Sequence, residues 1–299
     1  MPISLADCII ILALAGYSYR AQLDFVRQME GRLNQQTLNL PTWTWADFLV
    51  FLESWSHFQP SLILSKIQLD QYKQKYQYFT YFDPIYPWAW RHLPDPPMIL
   101  YYRGRLELLS APCLSIVGTR NVTPYGQQMA HRISVFCQEH QWVCVSGMAK
   151  GVDQVVHSSA LAYQIPYTIG IIACGLNKVY PRQHGNLQKS LGRHALLLSE
   201  YADDQGIQKF HFIARNRLVA GLSPITLVIE AAKNSGSLIT AQFALQYNRQ
   251  VYALPGRVTD PYSYGPNRLI ADGACPFESF DRFEDEIKRI FAHFYAEPS

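Results

Sequence analysis

The chain has 299 residues, 48% of them hydrophobic and 16% charged, and a formal net charge of +3, a composition typical of a globular protein and not of a disordered one. Its six cysteines form no C-x-x-C pair and lie mostly in apolar runs. A disulfide framework, a zinc site and a secreted location are therefore not expected, and a cytoplasmic location is predicted. The apolar run at 8–15 is too short to span a bilayer and follows no basic stretch, so neither a signal peptide nor a membrane anchor is expected.

The first 72 residues have the apolar spacing of short helices, at 5–16, 19–30 and 44–55. Glycines interrupt this pattern between the segments, as they do at helix ends. We therefore predict a small α-helical domain over residues 1–72. The following segment, 77–104, is dense in proline and aromatic residues and predicts irregular structure with one or two strands.

From Cys113 onward short apolar strands alternate with helices, which is typical of a parallel sheet covered on both faces. We predict an α/β fold of Rossmann-like type over residues 73–299. In such sheets ligands bind at the carboxyl ends of the strands. The predicted strands are 113–118, 142–147, 167–175, 195–200, 225–232 and 250–256, and the predicted helices are 123–140, 152–163, 210–221 and 237–248.

Positive charge is concentrated in the predicted sheet domain. Residues 107–272 contain 14 Lys and Arg against 9 Asp and Glu, and no acidic residue occurs over 154–199 or 205–223. This distribution favours a polyanionic partner. A solvated basic surface is the alternative that charge alone leaves open.

Glycine-rich strand ends predict an anion site. The stretch "SIVGTRNVTPYG" joins a strand to a helix through Gly118, Thr119 and Arg120, and Gly147 and Gly236 also precede predicted helices. Glycines let backbone N–H groups approach a phosphate, and helix N-termini favour negative charge. Ser237 is expected to cap its helix and can present its own N–H to the same anion.

The segment "KFHFIARNRLVAGL", residues 209–222, places Phe212, Arg215 and Val219 on one helical face. Arginine suits bidentate phosphate contacts, and an aromatic ring near a helix start can stack on a base. The alternative is a core phenylalanine with the arginines paired to Glu200 and Glu230. His157 is expected to be a hydrogen-bonded helix histidine, because no second metal ligand is spaced for it.

Several enzyme signatures are missing from the sequence. It has no G-x-G-x-x-G fingerprint with a following acid, no G-x-x-x-x-G-K-[ST] loop, no G-x-S-x-G elbow and no H-E-x-x-H motif. Neither catalytic residues, a cofactor nor a metal is therefore predicted. A phosphate-ready site without this machinery favours binding over catalysis.

Over roughly residues 80–280 the sequence resembles the DNA-processing protein A (DprA, or Smf) family. The resemblance is carried by ordered blocks: "SIVGTRNVTPYG", "VSGMAKGVDQVVHSSAL", "CGLNKVYPRQH", "FIARNRLVAGLS", "VIEAAKNSGSLITA" and "LPGRVTDPYSYGPNRLIADGA". It implies a cytoplasmic homodimer that binds single-stranded DNA during natural transformation, protects the strand and loads the RecA recombinase. The N-terminal helices are similar to the family's sterile-alpha-motif-like domain, and its frequent C-terminal winged-helix-like domain is not expected.

Matching the family's motifs implies a set of DNA contacts. Arg120 matches a phosphate-binding arginine, Phe212 a base-stacking ring, and Arg182 a basic position after Tyr-Pro. Two departures affect the rim of the site: Asn177 stands where the family has Asp, and "SEYADD" lacks the usual Pro and Gly. The predicted DNA-binding residues are Gly118, Thr119, Arg120, Gly147, Arg182, Lys209, Phe212, Asn216, Arg217, Gly236 and Ser237.

Two other functions stay open. The first is a Rossmann-like nucleotide hydrolase of the nucleoside-monophosphate phosphoribohydrolase type, but its catalytic loop is expected where this sequence reads "LPGRVTDPYSYG" and no glutamate is in place. The second is a protein-interaction scaffold, which predicts partner binding that does not depend on Arg120. DNA binding separates all three.

Overall fold

The structure is a computed structural model, and it describes residues 2–35, 43–57 and 66–296. The chain forms two compact units, Met1–Tyr86 with Pro94–Leu100, and Pro87–Leu93 with Tyr101–Ser299. The domain boundary expected after residue 72 stays a prediction.

The first unit is mainly helical. The capping box at the start of α1 explains where that helix begins, because Ser4 Oγ accepts the N–H of Asp7 and the Asp7 carboxylate accepts the N–H of Ser4. Strands β1 and β2 pair as a short antiparallel ribbon of two residues each. The elements of this unit are β1 (Pro2–Ile3), α1 (Leu5–Leu14), α2 (Tyr19–Gln35), β2 (Trp43–Thr44), α3 (Trp45–Ser54) and α4 (Lys66–Lys75).

Aromatic rings form the core of this unit. Phe25 of α2 and Phe48 of α3 are fully buried, with ring centroids 6.3 Å apart in an edge-to-face arrangement. Trp55 packs against Phe25 at 6.1 Å and donates its indole N–H to Asp24. These contacts bury the apolar faces that the helical spacing predicts.

A nine-stranded sheet follows the order β11-β10-β9-β5-β6-β7-β8-β4-β3. From β11 to β8 every neighbouring pair is parallel, and β4 is antiparallel to β8. All residues of β5 to β9 are buried, as expected for strands covered on both faces. The strands are β3 (Tyr78–Thr80), β4 (Ile99–Gly104), β5 (Cys113–Val117), β6 (Val143–Ser146), β7 (Thr168–Ile172), β8 (Leu196–Ser199), β9 (Ile225–Val228), β10 (Gln250–Ala253) and β11 (Cys275–Pro276).

The strand order reverses at β5. Strands β6, β7 and β8 continue from it in one direction, whereas β9 lies on its other side. Such a reversal opens a crevice at the carboxyl ends of the two strands that flank it. The pair β5 and β9 therefore marks the expected place of a ligand site.

Helices connect and cover the strands of the second unit. Val152 and Val156 of α7, with Ile133 of α6, are fully buried in one hydrophobic cluster, which α12 joins through Phe283, Ile287 and Phe291. The helices are α5 (Trp88–Arg91), α6 (Pro124–Glu139), α7 (Val152–Ala160), α8 (Gly185–His194), α9 (Lys209–Leu222), α10 (Gly236–Gln246), α11 (Tyr264–Ala271) and α12 (Phe280–Phe294). The predicted α/β fold with a mostly parallel sheet is confirmed.

Candidate functional site

A cavity of about 700 Å³ opens at the carboxyl edge of the sheet, where the strand order reverses. It is lined mainly by the loops after β5, β6, β9 and β10, by α9 between Phe212 and Val219, and by the first turns of α10. Its size is within the range of ligand sites. Eight predicted site residues line it, namely Gly118, Thr119, Arg120, Gly147, Phe212, Asn216, Gly236 and Ser237.

The turn that carries Arg120 is fixed to the end of β9 through Glu230. The backbone oxygen of Glu230 accepts the N–H of Thr119 at 2.7 Å. Its buried carboxylate accepts the N–H of Thr123 at 2.9 Å and the Thr123 hydroxyl at 2.5 Å. Thr123 in turn caps α6 by accepting the N–H of Gly126. The turn is therefore held at both ends while its arginine points outward.

Arg120 itself is exposed and forms no ion pair within the described part of the chain. Its guanidinium carbon lies 6.0 Å from the centroid of the Phe212 ring, at the outer limit of a cation–π contact. The Phe212 ring lies 5.1 Å from the ring of Tyr180, which is 39% exposed. Arg120 and Phe212 thus lie next to each other in the lining of the cavity, and the Tyr180 ring contacts Phe212 from outside that lining.

Gly147 forms part of the floor of the cavity. A Cβ at this position would collide with the Arg215 guanidinium and the Asp153 carboxylate, so a larger residue would have to displace both groups. The carbonyl of Gly147 accepts the Nε2–H of His157 at 2.6 Å, and the other ring nitrogen of His157 lies 2.8 Å from the Thr168 hydroxyl. The expectation that His157 is a hydrogen-bonded helix histidine is confirmed.

Arg215 is a lining residue that sequence reasoning did not select, although its position beside Phe212 on α9 was the available signal. It is 8% exposed and donates to the carbonyl of Ile171 at 2.6 Å. Burial lowers the pKa of Arg215 and raises the pKa of Asp153, and the attraction between the two groups opposes both shifts. The loop after β9 supplies two other missed lining residues, Lys233 and Asn234, and the loop after β10 supplies Tyr262.

Three predicted residues do not line the cavity. Lys209 is exposed at the first residue of α9, and Arg182 is exposed at the start of a short 3₁₀ helix, Arg182–His184. Arg217 is 6% exposed and pairs with Glu200 at 2.5 Å, as one of the alternatives for this helix proposed.

The start of α10 differs from expectation. Ser235, not Ser237, is the N-cap, and its hydroxyl accepts the N–H of Ser237 at 3.4 Å. The prediction that Ser237 caps the helix is therefore wrong by two residues, because either serine satisfies the sequence preference. Gly236 is the first helical residue, and an added Cβ would meet no atom within 4 Å. The chain thus leaves open space at this helix N-terminus.

Asn216 links α9 to α10. Its side-chain N–H donates to the carbonyl of Gly236 at 3.3 Å, and its oxygen accepts from Arg215 at 3.1 Å. One side chain therefore connects the N-terminus of α10 with the buried arginine.

The two departures from the family pattern, Asn177 and the segment 199–204, contact each other in the structure. The side-chain amide of Asn177 donates to the carboxylate of Asp204 at 2.9 Å, and its oxygen accepts from Arg103. Arg103 also pairs with Asp203 at 3.3 Å. An aspartate at 177 would place a second carboxylate beside Asp204, so the amide suits the acidic "SEYADD" segment.

Among the residues that the structure describes, no three His, Cys, Asp or Glu side chains form a group that could bind a metal ion. All six cysteines are free thiols. None of the described helices combines the length and hydrophobicity needed to cross a membrane.

Comparison with known proteins identifies relatives over most of the chain. The family model for DNA recombination-mediator protein A matches residues 77–288. The DNA processing protein DprA of Bacillus subtilis is 39% identical over 203 residues, which cover 68% of each chain. The protein of the same name from Streptococcus pneumoniae is 40% identical over 201 residues, which cover 67% of this chain and 71% of the relative.

Solved structures of related proteins have the same fold. The X-ray structure of DprA from Streptococcus pneumoniae superimposes with a TM-score of 0.79 at 32% identity and covers 95% of this chain and 99% of that one. DNA processing protein A from Helicobacter pylori, whose structure addresses its single-stranded DNA binding mode, gives a TM-score of 0.65 at 33% identity. That match covers 72% of this chain and 97% of the relative.

Proposed function

The chain belongs to the DNA recombination-mediator protein A family, and from this premise we propose that it binds single-stranded DNA in the cavity at the carboxyl edge of its sheet. The observation that carries the proposal is the grouping of Arg120, the Phe212 ring and the open N-terminus of α10 around one cavity. The Helicobacter pylori relative binds single-stranded DNA, which supports the same ligand class here.

Each part of the cavity suits a different part of the strand. Arg120 and the N-terminus of α10 at Gly236 and Ser237 bind phosphates, since charge and helix polarity both favour an anion there. The Phe212 and Tyr180 rings stack on bases. Lys209 and Arg182, both outside the cavity, are proposed to contact the strand as it leaves.

These contacts favour unpaired DNA without sequence preference. Stacking needs a base whose face is free, which a duplex does not offer, and it tolerates every base. Phosphate contacts position the strand and carry no sequence information. The proposed ligand is therefore any single strand, as expected for a protein that handles incoming DNA.

The finer parts of the proposal follow from family membership. We propose a cytoplasmic homodimer that protects the strand during natural transformation and loads a RecA-type recombinase onto it. Light scattering at micromolar concentration should give twice the mass of the 34.2 kDa chain. Recombinase filaments should form faster on a strand already bound by this protein than on the strand with albumin added.

The proposal is tested at the stacking ring. Phe212→Ala should weaken binding of a labelled oligothymidylate about 5- to 150-fold, the equivalent of about 1–3 kcal/mol per stacked base. Phe210→Ala is the matched control, since Phe210 lies on the same helix, is 62% exposed and does not line the cavity. Fluorescence anisotropy measures both variants on single-stranded and duplex DNA.

Equal affinities for the two variants would remove the ring from the binding site. Preference for duplex DNA would contradict the proposed ligand. If no DNA binds and nucleoside monophosphates lose their bases in the presence of the protein, the hydrolase alternative replaces this proposal.

A further inference from the structure

A second cavity, of about 670 Å³, lies beside the first at the same edge of the sheet. Its lining residues are Tyr125, Pro255, Gly256, Arg257, Asp260 and Ser263. Neighbouring residues of two segments line the two cavities. Asn121 lines the first and Tyr125 the second, while Tyr262 lines the first and the adjoining Ser263 the second. The loop at Tyr262 and Ser263 therefore borders both cavities, and a DNA strand that passes over it can reach from one to the other.

Hydrogen bonds fix the loop 255–263, which forms one wall of the second cavity. The Asn267 side chain accepts the N–H of Gly256 at 3.2 Å and donates to its carbonyl at 2.9 Å. Gly256 lies so close to the Ser263 hydroxyl that no Cβ fits there. The N–H of Asp260 donates to the carbonyl of Arg257 at 3.0 Å. A loop held at both ends presents its side chains in a fixed place, which lowers the entropy lost on binding.

The side chains around this second cavity suit one phosphate and one sugar or base of a nucleic acid. Arg257 is exposed, and among the residues that the structure describes it has no ion-pair partner. The Tyr125 ring is 45% exposed and its hydroxyl donates to the carbonyl of Pro255 at 3.3 Å. Asp260 uses one carboxylate oxygen to accept the N–H of Tyr262 at 2.8 Å. Its negative charge disfavours a phosphate on that side and leaves the Arg257 side as the place for one.

We propose that this second cavity is a further nucleotide subsite for the same single strand, in which Arg257 binds a backbone phosphate and the Tyr125 ring packs on the adjoining sugar or base. The inference rests on the proposed function, because the strand must first occupy the cavity of Arg120. It predicts a binding site longer than the first cavity alone, with Arg257 needed only by strands long enough to reach it.

The test is a length series of labelled oligothymidylates, from 4 to 20 nucleotides, measured by anisotropy between 50 mM and 1 M salt. For a single strand log K falls by about 0.7 per decade of salt for each phosphate neutralised. If Arg257→Ala loses one such contact, the ratio of its Kd to that of the unmodified protein should be about eightfold larger at 50 mM salt than at 1 M. The loss is expected for the long oligonucleotides and not for the shortest that binds.

Two further variants sharpen the test. Asp260→Asn keeps an oxygen for the Tyr262 N–H and removes the charge, so it should tighten binding of long strands alone. Arg193→Ala removes the same charge from an exposed position at the end of α8 that lines neither cavity, and it should leave the slope unchanged.

The outcomes separate the two proposals. Binding that depends on Arg120 at every length but never on Arg257 overturns the second subsite and keeps the proposed function. An equal effect of Arg257→Ala at all lengths also overturns it, because the residue would then act on the first cavity. Absence of binding by the unmodified protein contradicts the proposed function itself.

Discussion

A substitution at Gly236 should change ligand affinity without changing protein stability. A Cβ there meets no protein atom, so Gly236→Val should keep the free energy of unfolding within about 1 kcal/mol. The added methyl groups occupy the space that a phosphate needs to approach α10. Affinity for single-stranded DNA should therefore fall at least tenfold, as measured by anisotropy.

Gly31→Val is the matched control, since a Cβ at Gly31 also meets nothing within 4 Å and the residue lies in the first unit. Both variants should unfold at similar denaturant concentrations. If Gly236→Val binds as tightly as the control, the strand does not approach this helix N-terminus.

His157 predicts how stability depends on pH. Burial lowers the pKa of His157 from the ordinary 6.5 to about 4, and the charges of Arg215 and His184 act in the same direction. The unfolded chain therefore binds this proton more readily than the folded one. The contribution to stability is complete above pH 6.5 and declines by about 3 kcal/mol as the pH falls to about 4.

Urea denaturation of the unmodified protein and of His157→Gln at a series of pH values checks this expectation. The glutamine cannot take up a proton, so its free energy of unfolding should fall less between pH 6.5 and pH 4. If the free energy of unfolding falls equally with pH for the two proteins, His157 does not set this pH dependence.

Individual side chains on α9 show where sequence reasoning succeeds and fails at this scale. The stretch 209–222 has an obvious basic and aromatic character, and Phe212 and Asn216 do line the cavity. The pattern allows pairing of these arginines with Glu200, but it does not indicate that Arg217 forms this pair while Arg215 lines the cavity. That distinction depends on a partner from another part of the chain, which spacing along one helix does not specify.

At the scale of elements, Glu230 joins the end of β9 to the start of α6. Glu230→Ala removes the acceptor of both the Thr123 N–H and the Thr123 hydroxyl. Leaving these groups unpaired should lower the free energy of unfolding by about 2–3 kcal/mol, measured by urea denaturation. Because the same contacts hold the turn of Arg120, affinity for single-stranded DNA should fall as well.

Glu139→Ala provides the comparison, since Glu139 is an exposed carboxylate at the other end of α6. It should change neither quantity measurably. Unaltered stability in Glu230→Ala would show that the turn is held by its backbone hydrogen bond alone.

Strands were easier to predict than helices. Six continuous apolar runs appear as β5 to β10, because burial on both faces leaves an unmistakable pattern. Helix α8 was missed, since only Gln188 and Leu191 of its ten residues are buried and little apolar periodicity results. For α12 the signal was available: Phe283, Ile287 and Phe291 recur every four residues and are all buried.

At the scale of the molecule, the strand order lies beyond what the sequence indicates. Local patterns predict that a parallel sheet forms, but the pairing of β5 with both β6 and β9 depends on contacts between distant segments. This pairing creates the reversal at which the cavity opens. The resemblance to a known family supplied the ligand class, whereas the place of each side chain came from the fold.

The central claim is that Arg120 binds a phosphate of single-stranded DNA at this reversal. Its most direct test is the salt dependence of oligothymidylate binding for the unmodified protein, Arg120→Ala and Arg193→Ala, measured by anisotropy. Arg120→Ala should bind more weakly and lower the magnitude of the slope of log K against log salt by about 0.7, while Arg193→Ala should match the unmodified protein. Equal affinity and slope for all three proteins would contradict the account and leave the turn of Arg120 with a structural role alone.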